Sequence, residues 1–547
     1  MRVRPTVGLF WATTAVYVAI GLYLSVGHGY LMGDSLSRVA AARSVMFSRD
    51  PHLAAIGFIF TPLTAIAQLP TVFLGQWWVS LTSWGVTGTL MSAPFMAGAV
   101  VQMYKIGRDR GVPPWLMWTV TLVFALNPMV LFYGANGMSE APFLFCACWA
   151  ARRLIRWCST DDVHDLVGAG LALGLGYLAR YDALAAAGFV TLFVLGVGLF
   201  RHGRSGIRGT WRQALLDAVL VALPSALAFL GWAFTSWLIT GQALQQFSST
   251  YGNASILEQS GGGAVDPLDA FGYSLAEIFV MGPALPVLLP VVLILALQRR
   301  DLEVAASTLL FGSLLLFATY TFVAGQTFPF LRFYFSALPL MALAVYQLAP
   351  PRGQLHARRP GPYLHDRPPT RPIRPPIAAL AATSMVVSAG VTGVLMLDPQ
   401  LSVQQFALRA VVFPDRPGPD ETAAHARRIV ASFQTEREIA DYIDSLNLPR
   451  GSVLMDTVYG FAVFTATERP DTFVIPSDED FTGILNRPAE NGVRYILAVP
   501  NTGRGESDAV NRRFPTLYDD GGDVATLELE IPNTGDNQPT WRLYRVY

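Results

Sequence analysis

Seven ionisable side chains stand at or near the ends of apolar stretches, and their types suit one kind of chemistry. Asp34 directly follows the first apolar run, in Gly33-Asp34-Ser35-Leu36-Ser37-Arg38. Asp50 precedes Pro51, and Glu140 ends Asn136-Gly137-Met138-Ser139-Glu140. Arg180 and Asp182 flank Tyr181, and Arg332 stands in Leu331-Arg332-Phe333-Tyr334. A carboxylate so placed can take a proton from a hydroxyl. An arginine can hold a phosphate through its planar fork of donors. Ionisable groups beside a membrane are costly, so each needs a reason to be there.

Each also has a plainer structural role. Asp34 suits the N-cap of a helix starting at Ser35, and Asp50 before Pro51 is a good cap-and-first-turn pair. Glu140 and Asp182 begin inward-running helices, where negative charge suits the helix dipole. Arg332 can snorkel to the interface. His28 and His52 lack a second ligand at useful spacing, so no metal is expected, and nothing else in the chain asks for a cofactor.

The elements that must position these groups are membrane helices. The chain of 547 residues is 52% hydrophobic but only 14% charged, against about a quarter charged in soluble domains. Its formal net charge is zero, which gives no support to a nucleic-acid partner. Runs of about 20 apolar residues fall near 7–26, 77–103, 115–133, 141–157, 166–179, 183–200, 215–238, 273–297, 303–323, 333–349 and 377–397. About eleven transmembrane helices are therefore expected. With the N-terminus inside, the inner loops hold twenty positive residues and the outer segments five. The positive-inside rule then puts the N-terminus in the cytoplasm and the chain after Asp398 outside a plasma membrane.

Three cysteines, all in or beside one apolar segment, give no expectation of a disulfide framework. The Pro/Arg-rich stretch 350–376 reads as a flexible cytoplasmic linker near anionic lipid headgroups. The polar loop 240–272, with Gly261-Gly262-Gly263, suits either a lid over an outer-face site or a disordered turn. In the first outer loop, 27–76, Leu36, Val39, Ala40, Met46 and Phe47 recur at near-helical spacing, predicting an amphipathic interfacial helix. A second apolar piece, broken by Gly57 and Pro62, follows it and is expected to pack on other helices. From 398 to 547 the composition is that of a soluble domain. It has a polar helix over 421–446 and short β-rich runs at 452–455, 472–475, 494–499, 525–531 and 541–547. That alternation predicts a small extracytoplasmic α/β domain. Its Gly503-x-Gly505 lacks the third glycine of a nucleotide-binding turn.

The order of these features resembles the membrane glycosyltransferases of the GT-C fold. The resemblance rests on the acid after the first span and on Asn127-Pro128 with Met138-Ser139-Glu140. It rests also on Arg180-Tyr181-Asp182 and on Phe330-Leu331-Arg332-Phe333-Tyr334 before Leu338-Pro339. It covers residues 1–397 as a catalytic core and is most like actinobacterial relatives of the polyprenyl-phosphate-mannose, protein-mannosyltransferase-like branch. It implies an inverting transfer of a sugar, mannose or arabinose, from a polyprenyl-phosphate donor to a cell-envelope glycan, lipoglycan or protein. Asp34 would be the base, alone or with Asp50, because Ser35 stands where the family often has a second acid. Arg38, Glu140, Arg180, Tyr181, Asp182, Arg332 and Tyr334 would bind substrate. The chemistry fits the layout: a lipid phosphate leaves without protonation, so one base suffices, unlike the two carboxylates of a glycosidase. The competing reading is a lipid-linked sugar flippase or transporter, which internal repeats and midplane charges would mark. No convincing repeat is present, and the charges cluster at one edge.

Overall fold

The computed structural model describes residues 5–203, 210–249, 257, 266–351, 373–414 and 420–547. Gly261-Gly262-Gly263 and most of the 350–376 linker lie outside these residues. Among the described residues, seven helices are long and apolar enough to cross a membrane. Nine spans result if each of two bent helix pairs counts as one. The protein is thus a polytopic helical membrane protein with a small mixed sheet towards its C-terminus.

The first span is α1 (Pro5–Leu22), extended by a π turn to Gly27. After it come α2 (Gly33–Phe47), α3 (Leu63–Leu74) and α4 (Val86–Arg110). The bent pair α5 (Pro114–Ala125) and α6 (Pro128–Ala135) turns by 55°. There the Asn127 side chain caps Met129 N and Pro128 starts the second helix. Next are α7 (Glu140–Thr160), α8 (Val163–Ala179), α9 (Ala183–Gly203) and α10 (Thr210–Thr240). A second pair, α11 (Pro267–Met281) and α12 (Leu285–Arg299), bends by 82°. The bundle ends with α13 (Leu302–Val323), α14 (Ala337–Leu348) and α15 (Pro375–Leu395).

The expected eleven spans exceed this count by α7 and α8. Helix α7 carries Glu140 at one end and Arg152, Arg153 and Arg156 towards the other, while α8 has 17 residues. Both are nonetheless packed inside the bundle, with Leu154, Trp157, Leu166 and Ala172 buried. Lipid-facing side chains such as Leu297, Leu380 and Val394 coat the outside. Trp77 and Trp78 are exposed beyond α3, as in the aromatic belt of a membrane interface.

One end of the bundle is locked by charge. Arg110 pairs with Asp301 and Glu303, each at 2.6 Å, and all three are buried. Arg152 meets Asp109 at 2.8 Å, and Arg201 meets Asp161 at 2.9 Å. These residues close α4, α7 and α9 and open α13. The seven ionisable groups of interest, Asp50 apart, gather at the opposite helix ends.

The C-terminal part begins with α16 (Asp420–Val430) and α17 (Gln434–Ser445). The single helix expected over 421–446 is therefore two, broken around Ser432-Phe433. All five expected strands form: β1 (Val453–Leu454), β2 (Phe473–Val474), β3 (Tyr495–Ala498), β4 (Ala525–Ile531) and β5 (Trp541–Val546). The sheet order is β2-β1-β3-β5-β4, with β1 parallel to β2 and β3, and β5 antiparallel to β3 and β4. Helix α18 (Thr457–Ala466) follows β1, capped by Asp456.

Helix α2 departs from the interfacial role expected of it. It is packed between the bundle and the C-terminal domain, and Leu36 and Ala40 join the core formed by Phe433, Phe461 and Phe464. Arg43, on its polar face, donates to the carbonyls of Phe464 (2.7 Å) and Thr467 (2.6 Å). Those carbonyls give the guanidinium the hydrogen bonds that water would supply at an interface.

Candidate active site

Two close backbone approaches set the site. Gly88 on α4 and Gly137 before α7 allow α2 to settle on the bundle, since a Cβ at Gly137 would overlap Ser35 Oγ. Gly137 also has φ +74°, a left-handed conformation that glycine adopts without strain. The turn it makes delivers Met138, Ser139 and Glu140 beside the N-terminal end of α2.

Asp34 lies in the first turn of α2. The cap position is Met32, which makes no side-chain cap, so Asp34 is not the N-cap its sequence suggested. Its Oδ2 instead accepts a hydrogen bond from Arg332 Nη2 at 2.9 Å. The Arg332 side chain is 8% exposed and that of Asp34 40%. Arg332 occupies the 3-10 turn Leu331–Tyr334, between the rings of Phe330 (4.9 Å) and Phe333 (5.4 Å). Its Nε is 3.8 Å from Glu140 Oε1, beyond hydrogen-bond reach.

Glu140 in turn takes a 2.7 Å bond from Arg180 Nη1, and Arg180 Nη2 holds Asp182 at 2.7 Å. Phe333 also lies 5.5 Å from the Arg180 guanidinium, so one ring borders both arginines. The result is a chain of alternating charge, Asp182–Arg180–Glu140–Arg332–Asp34. Arg38 stands beside it without a carboxylate partner in ion-pair range among the described residues. It donates to its own helix at Asp34 O (2.8 Å) and to Ser139 Oγ (3.4 Å), and it stacks 4.4 Å from the Phe60 ring. Two buried atoms in the cluster, Arg332 Nε and Glu140 Oε2, have no hydrogen-bond partner. Unused buried polar capacity of this kind is uncommon and marks where a ligand can bond.

Burial alone would raise the Asp34 carboxyl, but the positive charges of Arg332 and Arg38 outweigh it and hold the group below the usual carboxylate range. Asp34 is therefore ionised at neutral pH. It also lines a cavity of about 310 Å³ shared with Tyr30, Ser37, Tyr459, Arg504 and Asp536.

Of the residues singled out in the sequence, Asp34, Arg38, Glu140, Arg180, Asp182 and Arg332 come together. The other three lie elsewhere. Asp50 lies three residues beyond the far end of α2, whose course from Asp34 to Phe47 spans about 20 Å at 1.5 Å per helical residue. Its Oδ2 accepts from Glu479 N at 3.0 Å. There Asp50, His52 and Glu479 each place one potential metal-ligating atom within 4.8 Å of the others. Besides Asp50, two residues before it, His52 thus has a carboxylate neighbour in Glu479 that sequence spacing did not reveal. Tyr181 packs against the ring of Phe247 at 5.7 Å. Tyr334 is buried and shares a 2.7 Å hydrogen bond with Ser274 Oγ. Phe60 beside Arg38, and Arg504 and Asp536 from the C-terminal domain, carried no sequence signal that set them apart, whereas Phe333 lies within the Leu331-Arg332-Phe333-Tyr334 stretch already singled out.

No protein-family description and no curated protein matches the sequence. Among solved structures, the chain is similar to ArnT from Cupriavidus metallidurans bound to undecaprenyl phosphate. The TM-score is 0.55 at 13% identity, over 98% of this chain and 97% of that one. The apo oligosaccharyltransferase of Archaeoglobus fulgidus aligns at a TM-score of 0.34 and 13% identity, over 90% of this chain and 70% of that one. The fold is ArnT-like, the GT-C arrangement of a polytopic helical core with a small C-terminal mixed sheet.

Proposed function

We propose that the protein is an inverting glycosyltransferase that uses a polyprenyl-phosphate sugar donor. The observation that carries this reading is the Asp34–Arg332 pair at a cavity edge, with the unmatched guanidinium of Arg38 beside it. Asp34 removes the acceptor hydroxyl proton as that oxygen attacks the anomeric carbon. The bond from that carbon to the phosphate oxygen breaks, and its electron pair leaves on the polyprenyl phosphate. Arg332 and Arg38 hold that phosphate and offset the charge it gains. When the phosphate draws Arg332 away from Asp34, the carboxylate loses part of the interaction that depresses its basicity. Donor binding and base strength are thereby coupled through one guanidinium.

The sugar is mannose or arabinose and the acceptor a cell-envelope glycan, lipoglycan or protein, as the sequence resemblance implies. The site faces outward and the N-terminus inward. The arginine-rich inner-loop residues support this, because Arg110, Arg152 and Arg201 share the end of the bundle opposite Asp34. The fold shared with ArnT, which was crystallised with undecaprenyl phosphate, supports a lipid-phosphate donor.

The reading is tested with purified protein in proteoliposomes and synthetic polyprenyl-phosphate mannose or arabinose. Release of polyprenyl phosphate with a new glycosidic bond is expected. Movement of labelled lipid across the bilayer without any such bond would overturn the reading in favour of a flippase.

A further inference from the structure

The cavity beside Asp34 has its second wall in the C-terminal domain. Asp34 and Ser37 of α2 face Tyr459, Arg504 and the loop Asp536-Asn537-Gln538. Its volume of about 310 Å³ falls at the lower end of the ~300–1,000 Å³ typical of small-molecule sites. The lining mixes aromatic rings with amides and hydroxyls, which matches the two sides of a sugar: an apolar C–H face and a rim of hydroxyls.

The charges are uneven. Asp34 is held by Arg332, and Asp536 lies 3.2 Å from His425 Nε2 and 4.0 Å from Arg428 Nε. Arg504 forms no ion pair among the described residues. Its Nη2 reaches Val458 O at 3.3 Å, its guanidinium lies 5.1 Å from the Tyr459 ring centre, and its buried Nε has no hydrogen-bond partner. It is near enough to Asp34 to lower the carboxyl there. The cavity therefore offers an unmatched cation close to the base, with donors to spare.

We infer that this cavity binds the acceptor, and that the acceptor is a glycan bearing a carboxylate or phosphate close to its reacting hydroxyl. The inference rests on the glycosyltransferase reading above. Arg504 sets the specificity by gripping the anion, while Asp34 faces the hydroxyl.

The test uses the full chain in lipid nanodiscs and measures binding of three probes by saturation-transfer NMR: methyl β-glucoside, methyl β-glucuronide and methyl β-glucoside 6-phosphate. At least one anionic probe should bind about tenfold or more tightly than the neutral glucoside, a difference a single charge-assisted contact can supply. The tighter of the two anionic probes distinguishes carboxylate from phosphate. Arg504→Gln should abolish the preference, with thermal unfolding close to that of wild type showing that the variant is folded, and Arg504→Lys should keep most of it. Equal or tighter binding of the neutral probe, a preference that survives Arg504→Gln, or no binding of any probe would overturn the inference. Anion preference without sugar transfer would leave the anion site standing and defeat the glycosyltransferase reading. Transfer without anion preference would do the reverse.

Discussion

Arg332 Nη2 donates to Asp34 Oδ2 at 2.9 Å across 298 positions of sequence. The same guanidinium also approaches Glu140, so a single side chain joins three separate segments of the chain. Removing it should affect both the phosphate and the base. Arg332→Met is expected to lower kcat/KM by about 10²–10³, the usual effect of losing one preorganised stabilising donor. Arg332→Lys should recover only part of this, because a point charge cannot span both carboxylates. Steady-state kinetics with varied donor checks it, and the donor KM should rise in both variants.

The pH dependence follows from the same pair. Asp34 titrates below the ordinary carboxylate range because Arg332 and Arg38 outweigh its burial. Activity should hold steady as the pH falls from 7 to about 5 and decline only below the free Asp value of about 3.9. In Arg332→Met the acid limb should move to higher pH. The stability contribution runs the same way. A carboxyl lowered in the folded state stabilises the fold above its unfolded pKa, and that stabilisation disappears as pH falls through the folded value.

Asp50 bonds to Glu479 N at the far end of α2. Asp50→Asn keeps an acceptor for that N–H and is expected to leave kcat/KM within about twofold of wild type. A loss as large as that of an Asp34 variant would show that the two acids act together.

Gly137 is the hinge on which Glu140 reaches the site. Gly137→Ala introduces a Cβ against Ser35 and Gly88 and a left-handed alanine. It should destabilise the fold by about 1–3 kcal/mol through overpacking and reduce transfer as well. Adding Ser35→Gly should restore part of the melting temperature, which thermal unfolding in detergent would show.

The sequence made much of this site readable because charge beside a membrane is expensive. Asp34, Arg38, Glu140, Arg180, Asp182 and Arg332 were conspicuous for that reason, and the structure gathers them. Direction was not readable. Tyr334 is two residues from Arg332, yet the tight 3-10 turn sends it to Ser274 rather than into the cluster. Helix α2 has the pattern of an interfacial helix, because periodicity cannot say whether water or another domain covers a polar face. The carbonyls that receive Arg43 lie 421 and 424 positions away. Arg504 and Asp536 look like ordinary charges of a soluble domain until the fold brings them to Asp34. The five strands were legible from their β-rich runs, and the apolar run at 166–179, within α8, is itself short for a span at 14 residues.

The central claim is that Asp34 is the base, and Asp34→Asn tests it most directly. The amide preserves the size of the side chain and can still accept from Arg332, so the variant should insert and fold, with a melting temperature lowered only by the loss of the Arg332 ion pair. Sugar transfer in proteoliposomes should fall by about 10³ or more, within the range expected for loss of a general base. Near-normal transfer by the folded, reconstituted variant would contradict the account.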